Sequence, residues 1–382
     1  MVATSAMPHA ATTVFVITAF IVVVLIVVLI VRALQRSDRY RALKKLRRLD
    51  AKELDAYFAS YGKIFDDNTM ISTLDDFRQG RPPSRFVIAD DEKPSEYTAE
   101  CYNILNYLCA LGNVKKMYIP KCIDPSRSLV ENQKLQEAEV AERLHASSDS
   151  TILELGCGCG RIAHHMTQLT GCTVHGVNID ETQLDDARAY AREKGCTRTH
   201  FLLSDFNDPL PFDDASIDGI YSFGGFITFV SDYDAVFAEL HRVLKPGGRI
   251  VLSDGALLDA FDRTDERHLR LMSKARMLMA GGVFLHYRYP ESIAARNGFT
   301  VELSRGGDDP ERLASELPLL IREHAHFNIV EKVVRCLTAV RLLPAYMNDL
   351  LARLRDGGND LVEMEQANLV TMDWDFVFVK DG

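Results

Sequence analysis

The sequence has no repeated cluster of cysteines, and that excludes the two commonest collective uses of the residue. The eight cysteines (Cys101, Cys109, Cys122, Cys157, Cys159, Cys172, Cys196 and Cys336) are scattered, and only Cys157 and Cys159 lie close together. Neither a disulfide ladder nor a zinc-ligand pattern follows, so no metal is expected and this pair is read as filling small turn positions. Surplus positive charge is missing too. A formal net charge of -10 argues against a general nucleic-acid binder, because phosphate backbones attract basic surfaces. Internal repeats and low-complexity linkers are also absent. What is present is a chain of 382 residues, 47% of them hydrophobic, long enough for one sizeable core with added segments.

Lysine and arginine do not occur before Arg32. Residues 14–31, opening at Val14 and closing at Val31, are apolar except for Thr18, and 10–13 extend the uncharged run to roughly the 20 residues a bilayer-spanning helix needs. Arg32, Arg36, Arg39, Arg41, Lys44, Lys45, Arg47 and Arg48 follow. Basic residues on that side predict a single-pass anchor with the bulk of the chain in the cytosol, the endoplasmic reticulum being the expected membrane. The cysteines would then stay reduced. A cleaved signal peptide fits less well: the apolar run is long, the basic cluster follows it, and no small-x-small site is found. A buried core helix fits least, since an all-round Val/Ile/Leu surface suits lipid.

Residues 50–130 read as a helical extension of mixed charge, broken by Gly80, Pro82 and Pro83. Residues 133–144 have helical spacing and lead through a polar turn into a short apolar strand. Strands at 151–155, 173–178, 199–203, 217–222 and 249–254 then alternate with helices near 160–169, 181–194 and 232–243. Such alternation predicts an α/β fold with a mainly parallel, doubly wound sheet. The expected divisions are 1–49 for the anchor and its basic flank, 50–130 for the extension, 131–305 for the core and 306–382 for a C-terminal segment.

The segment Leu153-Glu154-Leu155-Gly156-Cys157-Gly158-Cys159-Gly160-Arg161 is a strand running into a glycine-rich turn and then a helix. Glycines there let the backbone turn sharply and approach a ligand, and a helix N-terminus offers free amides. A dinucleotide fold would carry G-x-G-x-x-G and an acid at the end of the second strand. Here the spacing is G-x-G-x-G, and the second strand ends at Asn178. Asp205 and Phe206 follow the third strand, where a carboxylate can accept from an adenine amino group and an aromatic can lie against the ring. Pro211-Phe212, Asp218 and the run Arg242-Val243-Leu244-Lys245-Pro246-Gly247-Gly248 complete the order.

Over 133–305 these features resemble the class I S-adenosylmethionine-dependent methyltransferases, and within them the sterol C-methyltransferases. The narrower resemblance rests on the Asn-containing second-strand segment 176–183, on Ser204-Asp205-Phe206 with Pro211-Phe212, and on 335–345 with the closing 375–380. It implies a Rossmann-like, seven-stranded, mostly parallel sheet with an antiparallel last strand, 299–304 and 375–380 forming the final pair and the segment between them covering the substrate. It also implies that S-adenosylmethionine is the cofactor. Glu154, Gly156, Gly158 and Gly160 would cradle its methionine and ribose, Asn178 would reach the ribose hydroxyls, and Asp205 with Phe206 would hold adenine. The chain departs from the family in three places. Residues 106–113 replace an aromatic-rich stretch, Gly224 stands where the family has an acid, and Thr228 where it has a nearby histidine.

Methyl transfer is an in-line displacement, which asks the protein to position an acceptor and exclude water. An alkene acceptor would in addition need charge stabilisation and a base. Asp254 is the first candidate, followed by Tyr221 and His286. Each also has a plainer reading: Asp254 as a turn cap, Tyr221 as a buried strand residue, His286 as a solvated side chain. The expected acceptor is a sterol or related isoprenoid lipid. A quinone, phospholipid headgroup or small metabolite methylated on O or N is the alternative, and a non-catalytic cofactor-binding module is a third reading.

Overall fold

The computed structural model describes residues 70–85, 98, 116, 118–279, 282–306, 321, 331–332, 334–341, 343 and 345–382. All of these belong to one of the chain's two compact units, 51–103 with 115–382. Among the described residues no helix is long and apolar enough to cross a membrane. This corrects the expected single-pass membrane location, including its assignment to the endoplasmic reticulum. The segment 14–31 on which that expectation rested, the basic flank 32–48 and the replaced stretch 106–113 lie outside the described residues.

In chain order the elements are β1 (Ile71–Ser72), α1 (Leu74–Arg78), α2 (Leu129–Arg143), β2 (Thr151–Leu155), α3 (Arg161–Thr170), β3 (Thr173–Asn178), α4 (Glu181–Glu193), β4 (Thr199–Leu203) and β5 (Ile217–Phe223). They continue with α5 (Tyr233–Val243), β6 (Leu244–Leu257), α6 (Glu266–Met279), β7 (Phe284–Leu285), α7 (Arg288–Arg296), β8 (Phe299–Arg305), α8 (Tyr346–Gln366) and β9 (Val370–Lys380). Local chemistry sets the helix starts. Ser128 and Glu131 form a capping box at α2, and the carboxylates of Asp180 and Asp232 accept the first free amides of α4 and α5. The capping box places the start of α2 four residues before the stretch that hydrophobic spacing picks out.

A seven-stranded sheet runs in the order β4-β3-β2-β5-β6-β9-β8. Its first five strands are parallel, and β9 runs antiparallel to both β6 and β8. The final pair is therefore the expected one, although β9 begins earlier, at Val370, where it pairs with an extension of β6. Side chains alternate across this sheet. Leu153, Ile220, Ile250, Phe376 and Phe378 face α5 and α7, while Ile152, Val174, Tyr221, Val251 and Val377 face α2, α3 and α4. A third cluster, with Leu257, Phe261, Met272, Leu361 and Met364, joins α6 and α8 near the ends of β6 and β9.

Candidate active site

The strand order changes direction between β2 and β5: from β2 the chain grows outward through β3 and β4, then returns to add β5 on the other side. Ligands of open α/β sheets bind outside the strands' C-terminal ends at such a switch point. The glycine turn 156–160 occupies this position. Gly156 and Gly160 both have left-handed backbones, with φ of 71° and 67°. Their surroundings differ. A Cβ at Gly160 would lie 2.5 Å from Phe201 and 2.8 Å from Ala187, so this glycine lets α3 close onto its neighbours. A Cβ at Gly156 would meet nothing within 4 Å, so its backbone borders open space.

Glu154, two residues earlier, pairs in register with Tyr221 of β5, and both are buried. Glu154 Oε2 and the Tyr221 hydroxyl lack a well-formed hydrogen bond, although the two groups are neighbours. Burial pushes the Glu154 carboxyl up to about 8, with Glu137 adding to the rise and the Tyr221 hydroxyl and Lys116 opposing it. At the end of β3, Asn178 donates to Gln183 Oε1 at 2.8 Å. Beyond β4, Asp205 Oδ1 accepts from the Asn207 amide at 2.9 Å and from its side chain at 3.0 Å. Asn207 in turn bonds the carbonyl of Phe229 and accepts from Ser231, so the loops after β4 and β5 are tied together. Phe206 meets Phe226 edge-on, with centroids 5.3 Å apart.

Glu154, the glycine turn, Asn178 and Asp205 thus stand at the C-terminal ends of three adjacent strands. Residues 152–248 match the model of a family described as a methyltransferase domain. The core is a class I methyltransferase domain. Its cofactor is S-adenosylmethionine, and it is related to the sterol C-methyltransferases. Over 136 residues the chain is 38% identical to Methyltransferase GfsG of Streptomyces halstedii, covering 35% of this chain and 47% of that protein. It is 33% identical over 132 residues to the sterol 24-C-methyltransferase of Pneumocystis carinii, covering 34% of each. The chain thus matches less than half the length of these curated relatives. A solved geranyl diphosphate C-methyltransferase of Streptomyces coelicolor, in complex with Mg2+, geranyl diphosphate and S-adenosyl-L-homocysteine, shares the fold. Its TM-score is 0.52 at 16% identity, covering 71% of this chain and 94% of that one. The residues of the methyltransferase domain fit the cofactor: Glu154 supplies a buried oxygen lacking a partner, and Gly156 borders room for a ligand.

Of the three residues expected to carry chemistry, Asp254 and His286 are engaged within the protein. Asp254 is buried, and its carboxyl accepts from the amides of Gly225 (3.3 Å), Ile227 (2.8 Å) and Gly255 (2.9 Å). Burial raises it to about 6 against the opposing pull of those amides. Tyr221 is the buried strand residue described above. His286 is fully buried rather than solvated: Nε2 lies 2.9 Å from Asp259 Oδ1, and Nδ1 accepts from the Arg288 amide at 3.3 Å. Burial lowers its pKa, and Asp259 opposes that shift.

Five further residues escaped sequence reasoning. Asp259 also receives the Tyr287 hydroxyl at 3.0 Å, and its side chain is 50% exposed. The Tyr287 ring stacks on Trp374 at 3.9 Å and 8°. Glu137 and Tyr118 lie on the opposite face of the sheet, beside Glu154. No motif marks any of them, because distant parts of the chain bring them together. Among the described residues no group of His, Cys, Asp and Glu is arranged to hold a metal ion.

Proposed function

We propose that the chain methylates a carbon atom of an apolar acceptor of the sterol or isoprenoid class. Glu154, Gly156, Gly158, Gly160, Asn178, Asp205 and Phe206 hold the cofactor in this reading. The observation that carries it is the buried, partnerless Oε2 of Glu154 beside a turn that opens onto free space at the sheet's switch point. Bound S-adenosylmethionine supplies an electrophilic methyl group. The protein's part is to align the acceptor and keep water away.

Support for the acceptor class comes from the sterol C-methyltransferase relatives and from aromatic pairs near the strand ends, Tyr118 on Phe223 and Tyr287 on Trp374. Aromatic faces favour apolar and cationic groups. Asp254 shapes the loop after β5, His286 orients Asp259, and the half-exposed carboxyl of Asp259 takes a proton where the acceptor must lose one. The segment 50–130 forms the N-terminal extension of the core 131–305, and 306–382 helps to cover the acceptor.

Transfer to O or N of a small acceptor is the second reading. The internal engagement of Asp254 and His286 favours it, as do Gly224 and Thr228 where the sterol family carries an acid and a histidine. The full chain incubated with methyl-labelled S-adenosylmethionine and separate sterol, isoprenoid and polar metabolite fractions tests both. A sterol or isoprenoid product with the label on carbon is expected. Label found only on oxygen or nitrogen establishes the second reading, and absence of product with cofactor bound sinks both.

A further inference from the structure

We infer that Glu137 is a positioning residue, clamping a strap formed by Lys116 and residues 118–124 against the cofactor end of β5 and thereby setting how fast the cofactor leaves. The inference rests on the cofactor reading above. Residues 118–124 contain neither helix nor strand, so their backbone must be satisfied from outside. One face of α2 does this. Asn132 accepts from the Asp124 amide at 2.8 Å and donates to its carbonyl at 3.0 Å. Gln136 accepts from the Lys121 amide at 3.1 Å, and Gln133 donates to the Tyr118 carbonyl at 3.0 Å. These three side chains and Glu137 are at most 2% exposed.

Glu137 ends this row and gathers three partners from two segments. Its Oε1 is ion-paired with Lys116 and accepts the Tyr118 hydroxyl at 2.8 Å, while its Oε2 lies 2.5 Å from His165 Nδ1 on α3. The Tyr118 ring is thereby laid on Phe223, the last residue of β5, with centroids 4.8 Å apart and planes at 28°. A Cβ placed on Gly224 would lie 3.6 Å from Tyr118 Cβ. The charges of Glu137 and Lys116 both act on Glu154. The strap therefore crosses the switch point between β2 and β5, beside the acid that precedes the glycine turn. A ligand seated in that crevice leaves by displacing Tyr118, whose hold is the Glu137 carboxyl.

Two variants of the full chain separate this role from a general structural one. Tyr118→Phe keeps the stacked ring and removes its link to the clamp, and Glu137→Gln keeps the shape of the clamp and weakens it. Release of S-adenosylhomocysteine is followed after displacement by excess S-adenosylmethionine, together with thermal unfolding of the unliganded proteins. Each variant should release the product about tenfold faster, the worth of one hydrogen bond to a charged group. The double variant should be no faster than the faster single one, and Tyr118→Phe should keep a single cooperative thermal transition, lowered by no more than one hydrogen bond to a charged group is worth. An unchanged release rate for Tyr118→Phe overturns the inference, as do effects that multiply in the double variant. Failure to methylate any acceptor while these release rates change would sink the acceptor reading alone. A parent chain that binds neither ligand overturns both.

Discussion

A carboxyl with two different neighbourhoods has two different affinities for its proton, and Glu154 is such a group. Its folded value of about 8 lies above the ordinary 4.5. Between these values the folded chain keeps a proton that the unfolded chain has lost. The unliganded protein should therefore be most stable, as far as Glu154 decides it, below 4.5 and lose that contribution as pH rises through about 8. The cofactor carries positive charge on its sulfonium and amino groups, which favours the ionised carboxyl. Binding below pH about 8 should then release a proton, with affinity rising by up to about tenfold per pH unit before levelling off. Calorimetry in two buffers of different protonation enthalpy measures that proton. Glu154→Gln should abolish it, and a proton count that survives the substitution would assign the effect elsewhere.

The two glycines of the turn make a second test at this scale. Alanine at either position pays roughly 1–2 kcal/mol for a left-handed backbone. At Gly160 it also meets Phe201 and Ala187, so Gly160→Ala should cost a further 1–3 kcal/mol or so. Gly156→Ala should spare most of the stability and instead weaken cofactor binding, because its methyl group enters the open space. Chemical denaturation read beside cofactor titration separates the two, and equal stability losses would contradict the packing described.

Among the elements, the loop after β5 depends on a side chain from the next strand. Asp254 collects three backbone amides, that of Ile227 fully buried and those of Gly225 and Gly255 partly so. Asp254→Ala should cost about 2–4 kcal/mol in urea unfolding and move the loop that carries Phe226 and Thr228. A stable variant that has lost only methyl transfer would restore a chemical role for Asp254. This is also where legibility ends. The strands 151–155, 173–178 and 199–203 can be read to the residue, since each apolar run is short and bounded by glycine or polar turns. The residues proposed to hold the cofactor stand out for the same reason: they end those strands or follow them directly. The destination of the Asp254 carboxyl is not, because a carboxylate ending a strand can face a substrate or a neighbouring loop, and only packing decides. Glu137 looks like an ordinary helical glutamate until the strap, which has no periodicity of its own, is laid against it.

Across the whole molecule, the strap and the last strand are held by one polar layer between α2 and the sheet. Lys121 is ion-paired with Asp375, which also takes Arg143 of α2. Gln136 donates to Ser253 of β6 and to Asp373 of β9, both at 2.9 Å. Such a layer stabilises only when complete, because buried charges without partners are costly. Its completion waits for β9, the last strand to be made and the one inserted between β6 and β8. Without β9, β8 loses its neighbour, β6 has an open edge, Trp374 and Phe376 leave the core, and Lys121 keeps only Glu139 of α2 among its carboxylates. Removing residues 370–382 should therefore abolish cooperative thermal unfolding and cofactor binding, although the glycine turn and Glu154 remain in the chain. Removing only 381–382 should change neither. Cooperative melting of the shorter chain would mean that β2 to β6 with their helices fold alone. The polar layer would then be an addition to a finished core, and the strap over the cofactor would have to be held by α2 without help from β9.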